Sequence, residues 1–423
     1  MTENELESYC RGLAERAREA SRRLAGLSGK KKIDALLGLA RLLREESGEI
    51  TAANAEDVAA AKKAGQPTAM IDRLTLTPKR LEGMAESAEQ IAAQPDPIGQ
   101  TLSGSIRPNG LDVRKVRVPL GVILFIYEAR PNVTADAACL ALWSGNALIL
   151  RGGKQALRSN QAITGLVRRA FSDAGVDPDA TGIVETTDRA AVNCLLKLDE
   201  LIDLVVPRGG ESLIRTVVEN SRIPVIKHYT GNCHVYVDAS AKADPAVPIV
   251  LNAKCQRPGV CNAMETLLVH RAHAQQGGLL ERMLKDLIAA GVELRGCPTT
   301  CSLSSSVKPA EEEDWRREYL NLILAVRVVD DLDQAVAHIN TYGSAHTEAI
   351  VTSELSAARR FTVEVDSASV MVNTSTRFSD GGEYGLGAEM GISTDKLHAR
   401  GPMGAADLTT YKWVVRGDGQ LRG

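Results

Sequence analysis

Over the first ~95 residues apolar side chains recur at intervals of three and four: Leu6, Cys10, Leu13, Ala17, Leu24 and Leu27, then Ile33, Leu36, Leu37, Ala40 and Leu43. That spacing keeps them on one face of a 3.6-residue helix, so this region predicts packed helices with no site chemistry. Thr2 with Glu5 three residues later has the form of a capping box. The basic run Lys30-Lys31-Lys32 opens the second pattern and reads as a solvated helix end. The period then changes. Residues 103–118, with Pro108-Asn109-Gly110 inside them, predict an extended ribbon around an Asn-Gly turn. Leu408–Val415 is a second extended segment, so the two pair with each other or with another subunit.

From Gly121 short apolar runs alternate with helical patterns: Gly121–Tyr127, Ala147–Arg151, Gly182–Glu185, Ile202–Val206 and Ile223–Lys227. A second series follows at His234–Asp238, Met264–His270, Leu322–Val329, Ala349–Thr352 and Ser369–Asn373. Alternation of this kind builds parallel sheets with helices on both faces, and two series imply two lobes joined near Tyr229–Asn232. In such sheets ligands are expected at the carboxyl ends of the strands.

Composition narrows the class. The 423 residues are 44% hydrophobic and 24% charged with a net charge of -3, which gives no footprint for nucleic acid. No stretch approaches the ~20 apolar residues of a membrane span. The segment Met1–Glu5 is acidic and polar, unlike a secretory or transit signal. Eight cysteines without framework spacing predict free thiols in a reducing compartment, hence a soluble, cytoplasmic protein. Cys233-His234, Cys255/Cys261 and Cys297/Cys301 do not make paired ligand sets, so no metal is expected.

Three segments carry candidate chemistry. Arg151-Gly152-Gly153-Lys154 and Pro207-Arg208-Gly209-Gly210 each end a strand and open a helix. Glycines there let backbone N–H groups approach a phosphate, although Gly-Gly before a helix is often only a tight turn. Arg151, Lys154 and Arg208 would suit a 2′-phosphate and favour NADPH over NADH. No G-x-G-x-x-G is present, and Gly385–Gly391 has the wrong spacing for one. The third segment is Gln256–Asn262, a Gly/Pro-containing turn carrying Cys261. An exposed thiol on such a turn is a candidate nucleophile, with a structural cysteine as the alternative. Cys10, Cys139, Cys194 and Cys233 read as core, and Cys255 as a spectator at a helix end.

Longer motifs carry a resemblance. Val118–Ile123, Tyr127–Val133, Leu204–Gly210, Asn252–Asn262, His338–Glu348 and Ser375–Glu389 together resemble the aldehyde dehydrogenase superfamily, and within it the γ-glutamyl phosphate reductases, across essentially the whole chain. The resemblance implies an α/β, aldehyde-dehydrogenase-like fold: two Rossmann-like α/β lobes plus a β-flap that oligomerises. Residues 1–102 and 119–230 would form the N-terminal helices and NADP(H)-binding lobe, 231–374 the catalytic lobe, 103–118 and 402–423 the flap, and 375–401 a loop near the active site. Cys261 falls on the family's catalytic cysteine and Asn132 on the asparagine whose amide donates to the oxyanion. Glu318 looks like the glutamate that grips the nicotinamide ribose, a solvated helical glutamate being the alternative. Arg257 and Arg377 are candidates for the substrate's carboxylate and phosphate. His346 and Glu348 lie in a family signature without a physical role, and a structural turn explains them equally well.

Two departures stand out. Hydrolytic members of the superfamily carry a general-base glutamate where this chain has His228-Tyr229-Thr230-Gly231, and Cys255 stands where threonine is expected. The resemblance therefore implies NADPH-dependent reduction of L-γ-glutamyl 5-phosphate to L-glutamate 5-semialdehyde with release of phosphate, through a thioester on Cys261 and without metal. A homo-oligomer is implied, with association to glutamate 5-kinase an open possibility. The competing readings are a hydrolytic aldehyde dehydrogenase and a catalytically dead scaffold of the same fold.

Overall fold

A computed structural model describes residues 1–422, which fall into two compact units. The first comprises Met1–Lys227, Gly385–Ile392 and the chain from Leu397 on; the second comprises His228–Tyr384 and Ser393–Lys396. The chain crosses between them at Lys227/His228, just before the expected linker.

The first unit opens with the helices Glu3–Leu24, Gly29–Glu45, Ser47–Lys63, Thr68–Leu74 and Pro78–Ala92. Thr2 and Glu5 make both bonds of the capping box, and Leu6, Cys10, Leu13, Ala17 and Leu24 are buried as the periodicity requires. Two details differ from the sequence reading. Leu37 is 46% exposed, its place in the core taken by Leu39 and Leu42. Lys32 is no solvated helix end: it is 1% exposed, with its ammonium 2.9 Å from Asp96 and donating to the Trp143 carbonyl at 3.1 Å. An ammonium survives burial when its charge is paired and its protons find acceptors, and both conditions hold here.

Behind the helices lies a four-stranded parallel sheet in the order Thr181–Ile183, Ala147–Arg151, Val122–Tyr127, Leu204–Arg208. Residues 223–227, expected as a fifth strand, make only a single bridge between Val205 and Val225. Pro224 supplies a carbonyl to Val205 N but has no N–H to return, which stops the ladder. A separate antiparallel sheet joins Thr101–Ile106, Asp112–Pro119 and Thr409–Arg416 in that order, so the ribbon and the C-terminal strand pair with each other. Gly110, at φ +88, occupies the left-handed region that the Asn-Gly turn demands. Leu102, Ile106, Tyr411, Trp413 and Val415 leave this sheet apolar and exposed.

The second unit holds a seven-stranded parallel sheet in the order Lys308–Pro309, Glu293–Gly296, Ile323–Val329, Met264–His270, Cys233–Val237, Thr347–Val351, Ser369–Val372. Its central strands bury both faces. Val235, Val237, Leu267 and Val269 enter one core with helices Ala243–Cys255 and Leu279–Ala289. Tyr236 and Leu268, one residue out of phase, enter another with helices Leu332–Tyr342 and Leu355–Glu364. Alternation of period two between two helical layers is what a doubly wound sheet requires. The strands Glu293–Gly296 and Lys308–Pro309 escaped the sequence reading because they are short and polar.

Candidate active site

In the second unit three segments reach the amino ends of adjacent central strands. His228 precedes Cys233–Val237, Cys261 precedes Met264–His270 and His346 precedes Thr347–Val351. The sequence reading placed ligands at carboxyl ends, and here the reactive groups gather at the opposite end. The Cys261 Sγ and one ring nitrogen from each histidine lie within 4.8 Å of one another. The two rings meet edge to face, with centroids 5.2 Å apart.

The backbone around the thiol is tightly held. A Cβ on Gly231 would lie 2.0 Å from the Cys261 carbonyl oxygen, so only glycine permits the two segments to pass so closely. The Cys233 thiol donates to that same carbonyl at 3.1 Å, and Gly231 N–H donates to the Glu318 carboxylate at 2.9 Å. On the far side of the turn Asn262 donates its side-chain amide to the Ser379 carbonyl at 2.9 Å. The fully buried His346 is oriented by Thr347, whose Oγ1 lies 2.8 Å from its Nδ1.

These neighbours set the thiol's chemistry. Burial alone would raise its pKa, but the charge of His346 and hydrogen bonds from both imidazoles outweigh it, so Cys261 ionises well below the ordinary range. Burial instead pushes the Cys10 thiol up to about 12 and raises Cys139, Cys194, Cys233, Cys255 and Cys301. Cys255, six residues before Cys261, is thus shifted in the opposite direction. A thiol whose pKa is lowered in this way, beside two imidazoles, has the setting of a candidate nucleophile.

Glu318 lies outside any helix and is half-buried beside the site, which sets aside the solvated-helix alternative. Its pKa is raised first by burial and then by the Cys261 thiolate, against the Gly231 N–H bond. Arg257 is exposed on the cysteine's own turn; Arg377 is half-buried and donates from Nε to Gln256 at 2.9 Å. Burial, then the neighbouring Arg257, lower the pKa of Arg377, so two guanidiniums flank this turn. Glu348 is structural: fully buried in its strand, it accepts from His234 N at 2.6 Å and lies 2.9 Å from His234 Nδ1. In sequence alone His346 has no evident role and His228 stands only as a missing carboxylate. The histidines are 118 positions apart in the chain, and no spacing rule joins them.

In the first unit Asn132 opens the helix Asn132–Trp143 and is half-buried. It bonds to Asp136, one turn on, whose pKa burial pushes up to about 6 against help from Ser87, Arg208 and Asn132. The two Gly-Gly turns sit at the carboxyl ends of their strands, as expected. Their helices are less free for an anion than expected. Ser159 N, in the first turn of Leu157–Asp173, donates to Asp57 at 2.9 Å, and Gly210 N donates to Glu128 at 2.9 Å. Both helix starts already hold a carboxylate. Arg208, following the buried Pro207, donates to the Glu389 carbonyl at 3.2 Å and its carboxylate at 3.3 Å. Gly209 packs where a Cβ would lie 2.7 Å from Leu213. The first turn keeps more capacity: among the described residues Arg151 donates to the adjacent Gly152 carbonyl alone, Lys154 is exposed, and a Cβ on Gly153 would approach Ala129 N to 3.1 Å.

A cysteine of lowered pKa in one α/β unit, in a chain whose other α/β unit has strand-end glycines, is the pattern of the aldehyde dehydrogenases, and residues 7–295 match the model of the aldehyde dehydrogenase family. The chain belongs to that family. Within it, the chain is similar to proteins named Gamma-glutamyl phosphate reductase. That of Thermobifida fusca is 56% identical over 418 residues, 99% of this chain and 100% of that one. That of Moorella thermoacetica is 55% identical over 408 residues, 96% and 97% of the two chains. The crystal structure of the Gamma-glutamyl phosphate reductase of Thermotoga maritima superimposes with a TM-score of 0.95 at 44% identity, covering 98% of this chain and 100% of that one. No helix among the described residues is long and apolar enough to cross a membrane.

Proposed function

We propose that the chain catalyses NADPH-dependent reduction of L-γ-glutamyl 5-phosphate to L-glutamate 5-semialdehyde with release of phosphate, the second step of proline biosynthesis from glutamate. The observation that carries this reading is the Cys261 thiol set between two imidazoles that lower its pKa, in a chain so similar to reductases of that name.

Cys261 Sγ attacks the acyl carbon, and the C–O bond to phosphate breaks with its electron pair leaving on phosphate. Charge builds on the carbonyl oxygen during attack, and we assign its stabilisation to the Asn132 amide with backbone N–H groups. Removing such a donor typically costs roughly 2.7–4 kcal/mol of barrier. Arg257 and Arg377 supply positive charge for the substrate's carboxylate and phosphate. NADPH, when bound, supplies the hydride that takes the thioester to the aldehyde level. Breaking of the C–S bond then returns the electron pair to Cys261, where the imidazoles accommodate it.

The residues suited to hold the cofactor are Arg151, Gly152, Gly153 and Lys154 at one strand end and Pro207, Arg208, Gly209 and Gly210 at the other, with Glu318 for the ribose. The cations at these positions favour the 2′-phosphate of NADPH. Because Arg208 and Gly210 already serve Glu389 and Glu128, the first turn carries the larger share. The exposed apolar residues of the three-stranded sheet fit a homo-oligomer of this cytoplasmic enzyme, and passage of a reactive acyl phosphate fits association with glutamate 5-kinase.

The reverse reaction tests the proposal. Semialdehyde-dependent reduction of NADP⁺ should depend strongly on inorganic phosphate at fixed ionic strength and yield acyl phosphate, because general-base activation of water is worth ~10²–10⁴-fold and no carboxylate occupies the aligned position. Equal rates without phosphate, with glutamate as product, would show that His228 or another group activates water and that the chain is a hydrolytic dehydrogenase.

A further inference from the structure

We propose that His228, Cys261 and His346 form a zinc-binding site, at which Zn²⁺ acts as a reversible inhibitor. The donors are one thiolate sulfur and two imidazole nitrogens, a combination that zinc accepts in tetrahedral sites, and they lie within 4.8 Å of one another. Ligand-to-ligand separations in such a site are somewhat shorter, so small side-chain rotations close the set.

A second observation points to a ligand. His346 is fully buried and its Nδ1 engages Thr347 at 2.8 Å, so the nitrogen left to meet the Cys261 sulfur is Nε2, which makes no well-aligned hydrogen bond. A buried nitrogen that meets a poorly aligned sulfur is incompletely satisfied. A metal would satisfy it, while Thr347 fixes the ring through the other nitrogen, the arrangement that orients metal-bound histidines. Cys261 and His228 are each half-buried, so an ion can enter from solvent. Three protein ligands leave a fourth position for water or for a substrate oxygen.

Binding makes one Zn–S and two Zn–N bonds and releases to buffer whatever protons the donors held; nothing is oxidised or reduced. With its sulfur pair engaged, Cys261 cannot attack an acyl carbon. The inhibition therefore rests on the nucleophile assignment, whereas the binding does not, and each needs its own readout.

The full-length chain, reduced and freed of thiol reagents, should be titrated with Co²⁺ and with Zn²⁺. Co²⁺ is expected to give a thiolate charge-transfer band and tetrahedral d–d bands at one equivalent, displaced by Zn²⁺ and absent in Cys261→Ser. His346→Asn should weaken Zn²⁺ binding by at least about 10-fold. In the wild-type protein Zn²⁺ should protect Cys261 from alkylation, mapped by mass spectrometry, and a chelator should restore both alkylation and activity. A Co²⁺ band that survives in Cys261→Ser, or Cys261 alkylated at an undiminished rate under saturating Zn²⁺, would overturn the proposal whether or not the variants fold. Binding and protection with activity unchanged would leave the site standing and refute the nucleophile instead.

Discussion

Cys261 lies six residues beyond the C-terminal end of helix Ala243–Cys255. Many reactive cysteines lean on a helix N-terminus; the groups that lower the pKa of Cys261 are His346 and His228. Cys261→Ser should therefore abolish activity to near background while leaving NADPH binding intact, since an alkoxide is far harder to form. Cys255→Thr, on a residue whose thiol is pushed up by burial, should keep nearly full turnover. Steady-state rates of both variants decide between the two thiols; loss in Cys255→Thr alone would reverse the assignment. Asp136 gives a pH prediction. Its pKa is raised to about 6 from an ordinary 3.8, so the folded state binds its proton more tightly than the unfolded state. Stability conferred by that proton is complete below about pH 4 and is lost as pH rises through about 6, a change of up to about 3 kcal/mol. Asp136→Asn should flatten this fall, seen as a rise in relative melting temperature between pH 4.5 and pH 7.5. A constant difference between the two proteins would remove the assignment.

At the level of elements, the strand-end turns Arg151–Lys154 and Pro207–Gly210 look interchangeable in sequence and are unlike in structure. Lys154 is exposed, whereas Arg208 is held by Glu389. Neutralising Lys154 or Arg151 should raise the KM for NADPH several-fold, with NADH less affected, and neutralising Arg208 should do less. Equal effects on both cofactors at every position would exclude recognition of the 2′-phosphate. This contrast also marks where sequence reading stops. Apolar periodicity located the long helices and central strands because burial alone dictates them, and the turn carrying Cys261 was visible as a local motif. What periodicity cannot reach is pairing between distant polar groups. Glu389 against Arg208, Asp57 at Ser159 and His346 beside Cys261 are each brought together by topology, and no window of the chain contains both partners. Lys32 failed for the same reason: its burial depends on Asp96, 64 residues on.

For the whole molecule, the three-stranded sheet sets the expectation. Trp413 is 59% exposed, and Tyr411 and Val415 lie two residues to either side on the same strand. Side chains two apart share a face. A face of this kind is stable in water when another surface covers it. Trp413→Glu should lower the assembly state measured by sedimentation and make thermal stability less dependent on protein concentration. An unchanged sedimentation coefficient would move the interface elsewhere.

The same sheet is completed by Thr409–Arg416, which pairs with Asp112–Pro119 residue for residue, Arg416 opposite Asp112 and Thr409 opposite Pro119. During synthesis the inner strand is made long before its partner exists. Until Thr409–Arg416 leaves the ribosome, one edge of Asp112–Pro119 stays open, offering unpaired N–H and C=O groups to any passing strand. Both α/β sheets can form from residues already made, but this sheet cannot, because its closure spans most of the sequence. A chain cut short before Thr409 would thus carry two well-built cores and a permanently open edge, the makings of a protein that folds and then aggregates.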